Sequence, residues 1–444
     1  MQPDLSEELI GDLLRSAWVI ESARSNVYAG WAESEDLFAQ DSRRAAERAG
    51  IVERSLAGTG REPDRALVQP HADWIRSLAG SDPAEVTFGD LFVARLGSWV
   101  EGHASGFLGD GAAELHALGE EERSVLRFPT SLPEPPGFEP LATPEIEAPG
   151  DVRFRFGILA DLHIGSPTGE ATARAAIADL NREGVDLVIQ LGDITDQGDS
   201  AEFKLAMKVL DGLEMPVTTM MGNHDVYSRG EQRISGREYY LSSFGREADG
   251  VLLEHQGMRF AVLDSVEHAA TPFAPYDLVK GAFVEGPGGA IVRGALTAPQ
   301  HELLAEVAAP GAPPAFVFLH HPPQPFTSFP PIIFGLRDAD SGRLHATVDS
   351  GNVWGVFAGH THRNARTRDF DGVPAHEVAI PRDYPFGYGI VDVTSSGYAY
   401  RFKQLSDEDL LREGYGKAGT IHRRYGRGSE AERAFVWTAP GSPS

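Results

Sequence analysis

The stretch "RFRFGILADLH", at residues 153–163, has the pattern of a strand that enters a protein core. Its side chains alternate between polar and apolar and then run apolar, as those of a buried strand do. The run ends on Asp161 and His163, and both residue types are common ligands of divalent metal ions. The sequence therefore predicts a buried strand whose carboxyl end carries functional groups.

The stretches that follow alternate between helix and strand patterns. Helical patterns lie at 171–184 and 201–214, and further strand patterns lie at 185–193, 215–225, 259–265, 314–322, 353–362 and 388–394. Strands that alternate with helices are typical of layered α/β proteins. We therefore expect an α/β fold over residues 152–400.

Five of these strands end on a short polar cluster. The clusters are Asp161-Leu162-His163, Gly192-Asp193, Gly222-Asn223-His224-Asp225, His320-His321-Pro322 and Gly359-His360-Thr361-His362. A glycine beside a ligand lets the backbone turn sharply and approach an ion closely. Each cluster is common by itself, but five in succession at strand ends indicate one site, because layered α/β folds build active sites there.

The composition narrows the chemistry of such a site. The chain has 444 residues and no cysteine, which excludes disulfides, iron–sulfur clusters, thiolate zinc sites and cysteine nucleophiles. Any metal must be held by nitrogen and oxygen donors, and these suit Mn, Fe, Zn or Mg.

The five clusters, in this order, resemble the signature D-x-H … GD … GNH[DE] … H … GHxH of the calcineurin-like metallophosphoesterase superfamily. The resemblance covers residues 152–400 and implies a layered β-sandwich flanked by helices. It also implies two divalent ions (Mn, Fe, Zn or Co), a small-molecule phosphoester substrate and the following residue roles. Asp161, His163 and His362 would hold one ion, Asn223, His320 and His360 the other, and Asp193 would bridge both. His224 would be the catalytic histidine and Asp225 its orienting partner.

The chemistry of such a set is physically coherent. Two ions roughly 3.5–4 Å apart clamp the attacking and the leaving oxygen of an in-line displacement at phosphorus. A hydroxide shared by the ions becomes a nucleophile near neutral pH, because the ions lower the pKa of bound water. A histidine beside them protonates or stabilises the leaving oxygen. One ambiguity is the pair in "HHPP": the motif assigns the ligand role to His320, and leaves His321 as a pocket residue or a residue that only follows the strand.

Departures from related branches indicate the substrate class. Protein Ser/Thr phosphatases carry GDxxDRG, whereas Gln197 stands here in place of that arginine. Purple acid phosphatases carry a tyrosine ligand where this chain has Asp196. The stretches "FAVLDS" (260–265), "GALTAPQHELLAEV" (294–307) and "HHPP" resemble the class III cyclic nucleotide phosphodiesterase branch and the related glycerophosphodiesterases. Hydrolysis of small phosphodiesters is thus expected, and a phosphomonoesterase or nucleotidase remains the alternative.

The regions outside 152–400 carry weaker patterns. Residues 1–128 predict a separate helical domain, with helices near 33–57, 64–79, 84–105 and 112–126, that would serve as an interaction or oligomerisation module or cap the active site. The proline-rich residues 129–151 predict a stiff linker or a strap across a neighbouring surface, and residues 401–444 a C-terminal tail. Homo-oligomers would form through the N-terminal helices or the tail.

For two further segments the sequence is compatible with either a contact to substrate or a solvated surface. The insert at 266–293, with His268, Tyr276 and Lys280, reads as a lid, a pocket wall or a solvated loop. The basic cluster "IHRRYGRG" (421–428) would neutralise a phosphate, grip a partner or pair with nearby acids.

Charge and hydropathy bear on partners and location. A net charge of −26 repels nucleic-acid backbones, so binding to a duplex over a broad face is not expected. No apolar run approaches the roughly 18–20 residues of a membrane span, so no membrane association is expected. The acidic N-terminus lacks the positive charge that opens a signal peptide, which predicts a cytoplasmic protein.

Overall fold

A computed structural model describes most of the chain from residue 138 onward. The described residues are 138, 140–226, 236–245, 250–266, 294–323, 335–336, 338–350, 352–370, 372–417 and 426–441, together with parts of 18–72. The chain divides into two compact units, of which one takes in residues up to 136 and the other most of the chain from 137 onward.

The first unit contains helix α1, Asp36–Gly58, which overlaps the helix predicted at 33–57. Within this unit the buried Arg48 Nε donates to Glu21 Oε2 at 2.9 Å. The helices predicted at 84–105 and 112–126, and most of that at 64–79, lie outside the described residues. The separate N-terminal helical domain therefore stays a prediction.

The second unit contains two six-stranded sheets. The first has the order β12-β11-β10-β1-β2-β3, with parallel pairing in β1-β2-β3 and antiparallel pairing in the rest. Its strands are β1 Phe154–Leu159, β2 Leu187–Gln190, β3 Val217–Thr219, β10 Gly387–Val393, β11 Gly397–Gln404 and β12 Ala434–Thr438.

The second sheet has the order β4-β5-β6-β7-β9-β8, and β5, β6, β7 and β9 run parallel. Its strands are β4 Val251–His255, β5 Met258–Val262, β6 Ala315–Leu319, β7 Val353–Ala358, β8 Ala365–Phe370 and β9 Val373–Glu377. The parallel strands of both sheets bring their carboxyl ends together at one edge of each sheet, which is where the polar clusters follow.

Aromatic side chains fill the space between the two sheets. Phe156 of β1 is fully buried and makes edge contacts with Phe260 and Phe316 of the second sheet, at ring-centroid distances of 5.3 and 5.2 Å. Such edge-to-face pairs are favourable beyond the area they bury. The expected α/β sandwich of two sheets flanked by helices is confirmed.

Helices cover the outer faces of the sandwich. Apolar side chains of α2 and α3 pack on the first sheet, and those of α6 and α7 pack on the second. The helices of this unit are α2 Gly169–Glu183, α3 Ser200–Leu210, α4 Asn223–Val226, α5 Gly236–Phe244, α6 Ala298–Val307, α7 Asp338–Ser350, α8 Glu408–Lys417 and α9 Glu430–Arg433. The sheets are thereby covered on both faces, as parallel sheets generally are.

The proline-rich segment lies as a strap along the first sheet. Residues 140–149 contain no helix or strand. The Leu141 amide donates to Gln404 Oε1 at 2.8 Å, and the Thr143 hydroxyl donates to the Phe402 carbonyl at 2.7 Å. Over the described residues these contacts are those of a strap, and the linker predicted for residues 129–151 as a whole stays a prediction.

Residues beyond 400 build the sandwich instead of forming a tail. Strand β11 runs through the predicted boundary at residue 400, and β12 pairs with it antiparallel. Phe435 of β12 is buried in the core between the sheets. The sequence pattern did not indicate this strand, because β12 is short and two of its five side chains are exposed.

Some predictions cannot be compared with the structure. Residues 267–293 of the insert and residues 421–425 of the basic cluster lie outside the described residues. Among the helices that the structure does describe, we find none long and apolar enough to span a membrane.

Candidate metal centre

The five polar clusters meet at the adjoining carboxyl edges of the two sheets. Within the first sheet, the Asp161 amide donates to the Gly192 carbonyl at 3.1 Å. Within the second, the Gly359 amide donates to the His320 carbonyl at the same distance. The His360 amide joins the two sheets, because it lies 3.0 Å from both carboxylate oxygens of Asp161.

Four predicted ligands form one group, in which one donor atom of each lies within 4.8 Å of the others: Asp161, His163, Asp193 and His362. His163 Nε2 and His362 Nε2 are 3.1 Å apart. His362 Nε2 also lies 3.5 Å from Asp161 Oδ1. We call these four residues the carboxylate-rich half.

The other three predicted ligands lie beside this group. His320 Nε2 is 3.0 Å from Asn223 Oδ1 and 3.1 Å from His360 Nδ1. We call Asn223, His320 and His360 the amide half. Asp193, a member of the carboxylate-rich half, also faces the amide half, with Oδ1 3.5 Å from His320 Nε2 and Oδ2 3.7 Å from His163 Nε2.

Two of the histidines are oriented by hydrogen bonds to oxygen atoms behind them. His362 Nδ1 lies 3.0 Å from Asp383 Oδ2, and His320 Nδ1 donates to the Leu191 carbonyl at 2.8 Å. Such a hydrogen bond on Nδ1 fixes the tautomer and directs Nε2 to the other side of the ring, where the other predicted ligands lie. Behind His163, Asp196 Oδ1 approaches Nδ1 to 3.4 Å without hydrogen-bond geometry.

The backbone at these positions has an unusual conformation. Five of the seven predicted ligands have φ between +44° and +68°, a region that residues other than glycine seldom adopt. The five are Asp161, His163, Asp193, His360 and His362. Strain of this kind costs about 1–3 kcal/mol per residue and concentrates at functional sites.

Three glycines of the motifs make close approaches that a side chain would block. A Cβ atom on Gly222 would lie 2.2 Å from Asp193 Oδ1, and one on Gly359 would lie 2.5 Å from Asp161 Oδ2. A Cβ on Gly192 would lie 2.7 Å from His320 Nδ1. These glycines let the donor-bearing loops pack against one another.

The catalytic histidine expected from the motif lies against this centre, but its partner differs from the expectation. The ring of His224 packs edge-on against that of His163, with centroids 4.5 Å apart. Its Nδ1 donates to the Asp196 carbonyl at 2.7 Å. Asp225 instead accepts hydrogen bonds from the Ile194, Thr195 and Gly222 amides and from the Thr195 hydroxyl.

The role predicted for Asp225 is thereby corrected. Its carboxylate joins the loop after β2 to the loop after β3, so it orients His224 only indirectly. Proximity in sequence suggested a direct contact, but the short helix α4 turns the two side chains in different directions.

His321 is distinguished from His320 by its contacts. Its Nδ1 and its backbone amide both lie 3.0 Å from the Ser265 hydroxyl. Its ring packs 4.6 Å from that of His360. The contacts with Asn223 and Asp193 are made by His320, as the motif implies.

Burial favours the neutral, metal-binding form of two predicted ligands, His320 and His163, whereas the pKa values of His362 and Asp193 shift in the opposite direction. Burial lowers the pKa of His320 to about 3 and that of His163 well below the ordinary value, the latter with help from the charge of Arg382. For His362 burial acts in the same direction, but the carboxylates of Asp161 and Asp383 raise the pKa overall. Burial and the charge of Asp161 raise the pKa of Asp193.

The donor set fits divalent ions. Carboxylates crowded together without a cation repel one another, and neutral imidazoles present lone pairs, so both kinds of group gain from a bound cation. The four histidines, two aspartates and one asparagine supply only nitrogen and oxygen donors. This set suits transition ions better than Ca²⁺ or Mg²⁺, because imidazole dominates it.

Sequence reasoning missed three residues that line the centre. Asp196 and Asp383 back two of the predicted ligands, and Arg382 pairs with both of these carboxylates. Arg382 and Asp383 follow β9 within "IPRDYP" (380–385), which is not part of the metal motif. The only signal in the sequence was a charged pair directly after a buried strand.

Comparisons with known proteins agree with the fold and the centre. A family model described as calcineurin-like phosphoesterase matches residues 154–364. A "Probable cyclic nucleotide phosphodiesterase" of Rhodopseudomonas palustris is 30% identical over 249 residues, which make up 50% of this chain and 76% of that protein. The two-sheet sandwich with a histidine- and aspartate-rich centre defines a metallophosphoesterase. The chain belongs to the calcineurin-like phosphoesterase family.

Two further relatives are similar over shorter regions. A "Probable cyclic nucleotide phosphodiesterase" of Rhodococcus erythropolis is 28% identical over 193 residues, 43% of this chain and 55% of that protein. "Glycerophosphodiester phosphodiesterase GpdQ" of Enterobacter lignolyticus is 28% identical over 192 residues, 42% of this chain and 59% of that protein. The chain thus spans a little over half the length of these two relatives. Members of the family are metal-dependent hydrolases of phosphoric esters.

Proposed function

We propose that the chain hydrolyses small phosphodiesters, of the cyclic nucleotide or glycerophosphodiester class, with two divalent ions. The observation that carries this proposal is the arrangement of predicted ligands on both sides of Asp193. Asp161, His163 and His362 group with it on one side, and His320, in contact with Asn223 and His360, faces it on the other. The family membership supports the hydrolysis of phosphoric esters, and the names of the three relatives favour diesters.

Each ion would be held by one half of the centre. Asp161, His163 and His362 would bind the first, and Asn223, His320 and His360 the second. Asp193 would bind both, since its two oxygens face opposite halves. When bound, the pair of ions supplies Lewis acidity to the phosphoryl group and lowers the pKa of an attacking water.

His224 would exchange a proton with the leaving oxygen. Its Nδ1–H is engaged by the Asp196 carbonyl, so Nε2 is the atom that would carry this proton. Burial lowers the pKa of the ring to about 3. An anionic phosphoryl group placed against the ring would favour the protonated form and raise this pKa.

A panel assay tests the proposal. The purified chain would be given bis(p-nitrophenyl) phosphate, 3′,5′-cyclic AMP, cyclic GMP, a glycerophosphodiester and p-nitrophenyl phosphate, each with Mn, Zn or Fe. We expect cleavage of the activated diester and of at least one natural diester. Fast cleavage of the monoester without turnover of any diester, under every metal, would replace the proposal with the phosphomonoesterase or nucleotidase alternative.

A further inference from the structure

Arg382 places a cation beside the carboxylate-rich half. Its Nη2 lies 2.8 Å from Asp383 Oδ2, its Nε lies 3.3 Å from Asp383 Oδ1, and its Nη1 lies 3.5 Å from Asp196 Oδ1. Asp383 contacts the ring of His362, and Asp196 faces that of His163. The two carboxylates that hold the guanidinium, Asp383 and Asp196, thus lie directly behind two predicted ligands.

Asp196 links Arg382 to two histidines of the centre. Its carboxylate contacts the guanidinium and faces His163, and its backbone carbonyl accepts from His224. These two rings lie against each other, with centroids 4.5 Å apart. The cation is therefore on the side of the centre where the expected proton donor lies.

The contacts with Asp383 and Asp196 do not use all N–H groups of the guanidinium. It carries five N–H groups in a rigid plane, and the contacts with Asp383 and Asp196 engage three of them. The side chain keeps 20% of its surface exposed, so it is not sealed in the core. Two N–H groups, one on each terminal nitrogen, have no partner among the described residues. A guanidinium matches the oxygens of a phosphoryl group in geometry and charge.

We propose that Arg382 binds a non-bridging oxygen of the substrate's phosphoryl group and makes the site select for anionic phosphoesters. The proposal rests on the proposed function. Gln197 occupies the position at which related phosphatases carry an arginine, and its own amide contacts Asp196 at 3.4 Å. Arg382 reaches the same carboxylate from the loop after β9, so a different part of the chain supplies the guanidinium.

Removal of Arg382 has different measurable effects if it binds the phosphoryl group than if it only holds Asp383 in place. A guanidinium that binds the phosphoryl group stabilises ligands in proportion to their negative charge. When the guanidinium is removed, the loss of binding affinity is then smallest for a neutral phosphotriester. It is larger for a diester monoanion and largest for inorganic phosphate or a monoester dianion. A guanidinium that only orients Asp383 acts through the metal ligands, and its removal lowers metal content and affects all substrates alike.

The test compares Arg382→Ala and Arg382→Lys with Arg401→Ala in the full chain loaded with Mn. Arg401 is a matched control, because it is 18% exposed and pairs with one buried carboxylate, Asp392, outside the centre. Binding of radiolabelled inorganic phosphate is measured by equilibrium dialysis, metal content by elemental analysis, and KM and kcat with bis(p-nitrophenyl) phosphate. Phosphate binding requires no turnover, so the result stands even where the proposed activity fails.

We expect Arg382→Ala to weaken phosphate binding by about 10- to 100-fold, the range of a charged hydrogen bond. The KM for the diester rises by a smaller factor, Arg382→Lys restores part of the loss, and Mn content stays at the wild-type level. Arg401→Ala binds phosphate as the wild type does. Unchanged phosphate affinity in Arg382→Ala, a loss that follows the loss of Mn, or a Mn-loaded wild type that binds no phosphate would each overturn the proposal.

Discussion

The two halves of the centre are built from different donors and supported differently. The carboxylate-rich half contains two carboxylates and two histidines, and each of these histidines is backed by a further carboxylate, Asp196 or Asp383. The amide half contributes an amide and two histidines of its own. His320 in that half is backed by a neutral backbone carbonyl.

This difference predicts unequal affinities for metal. Negative charge at and behind the ligands favours a divalent cation and raises the basicity of the histidines. Both features favour the carboxylate-rich half. The amide half shares only the charge of Asp193, so an ion there would dissociate first.

The largest expected effect comes from removing the residue common to both halves. In Asp193→Asn one negative charge is lost from each ion site, so the chain should lose bound metal from both halves and turnover should fall to background. Elemental analysis and the diester assay measure this directly. A variant that retained two ions and wild-type turnover would contradict the bridging role.

The next effect separates the catalytic group from the ligands. His224→Ala leaves all seven donors in place, so metal content should stay near the wild-type level. Turnover of an unactivated diester should fall by roughly 10²- to 10⁴-fold, the usual share of a general acid. The loss should be smaller for bis(p-nitrophenyl) phosphate, whose leaving group needs little protonation. If His224→Ala emptied the centre, the ring would have to be counted as a ligand.

A smaller effect tests the carboxylates behind the histidines. Asp383→Asn keeps the shape but removes the charge that orients His362, and metal affinity should fall by about 10- to 100-fold. Asp392→Asn is the control, since Asp392 is also paired with arginine but lies outside the centre. Equal metal affinities in the two variants would remove the proposed advantage of the carboxylate-rich half.

Much of the centre was predictable from the sequence because its ligands belong to motifs that close buried strands. Asp193 and His360 come directly after apolar runs, so strand pattern and ligand chemistry pointed to the same place. Asp383 and Arg382 were not predictable, because they reach the centre from a loop that carries no motif. The partner of His224 was predicted wrongly, because a backbone carbonyl leaves no trace in the sequence.

In the fold too, only the features that have a local sequence pattern were predictable. The parallel strands β1, β2 and β6 were visible as apolar runs, since both of their faces are buried. Strand β12 was missed, because its pairing with β11 depends on the tertiary structure and not on a local pattern.

The smallest effect concerns stability around the loop that supports the carboxylate-rich half. Glu202 in α3 accepts a hydrogen bond from the Gln197 amide at 2.8 Å, and burial raises its pKa to about 7. A carboxyl whose pKa is raised on folding stabilises the protein fully only below its unfolded pKa of about 4.5, and this contribution is lost as the pH rises through 7.

Glu202→Gln should therefore match the wild type in melting temperature near pH 5 and exceed it near pH 8.5. The difference in unfolding free energy would stay below about 3 kcal/mol, the amount implied by a pKa change from 4.5 to about 7, because solvent screens the partly exposed carboxylate. Thermal unfolding at both pH values measures it, with the surface variant Glu408→Gln as a control. A melting-temperature difference that did not change with pH would show that Glu202 ionises freely in the folded chain.

Stepwise reconstitution with Mn tests the central claim most directly. The chain is stripped of metal with a strong chelator, and bound Mn and diester turnover are then measured together as Mn is added. We predict two ions per chain bound with different affinities, and turnover that appears only as the second, weaker ion binds. Full turnover with one ion per chain, or in the stripped protein, would contradict the account.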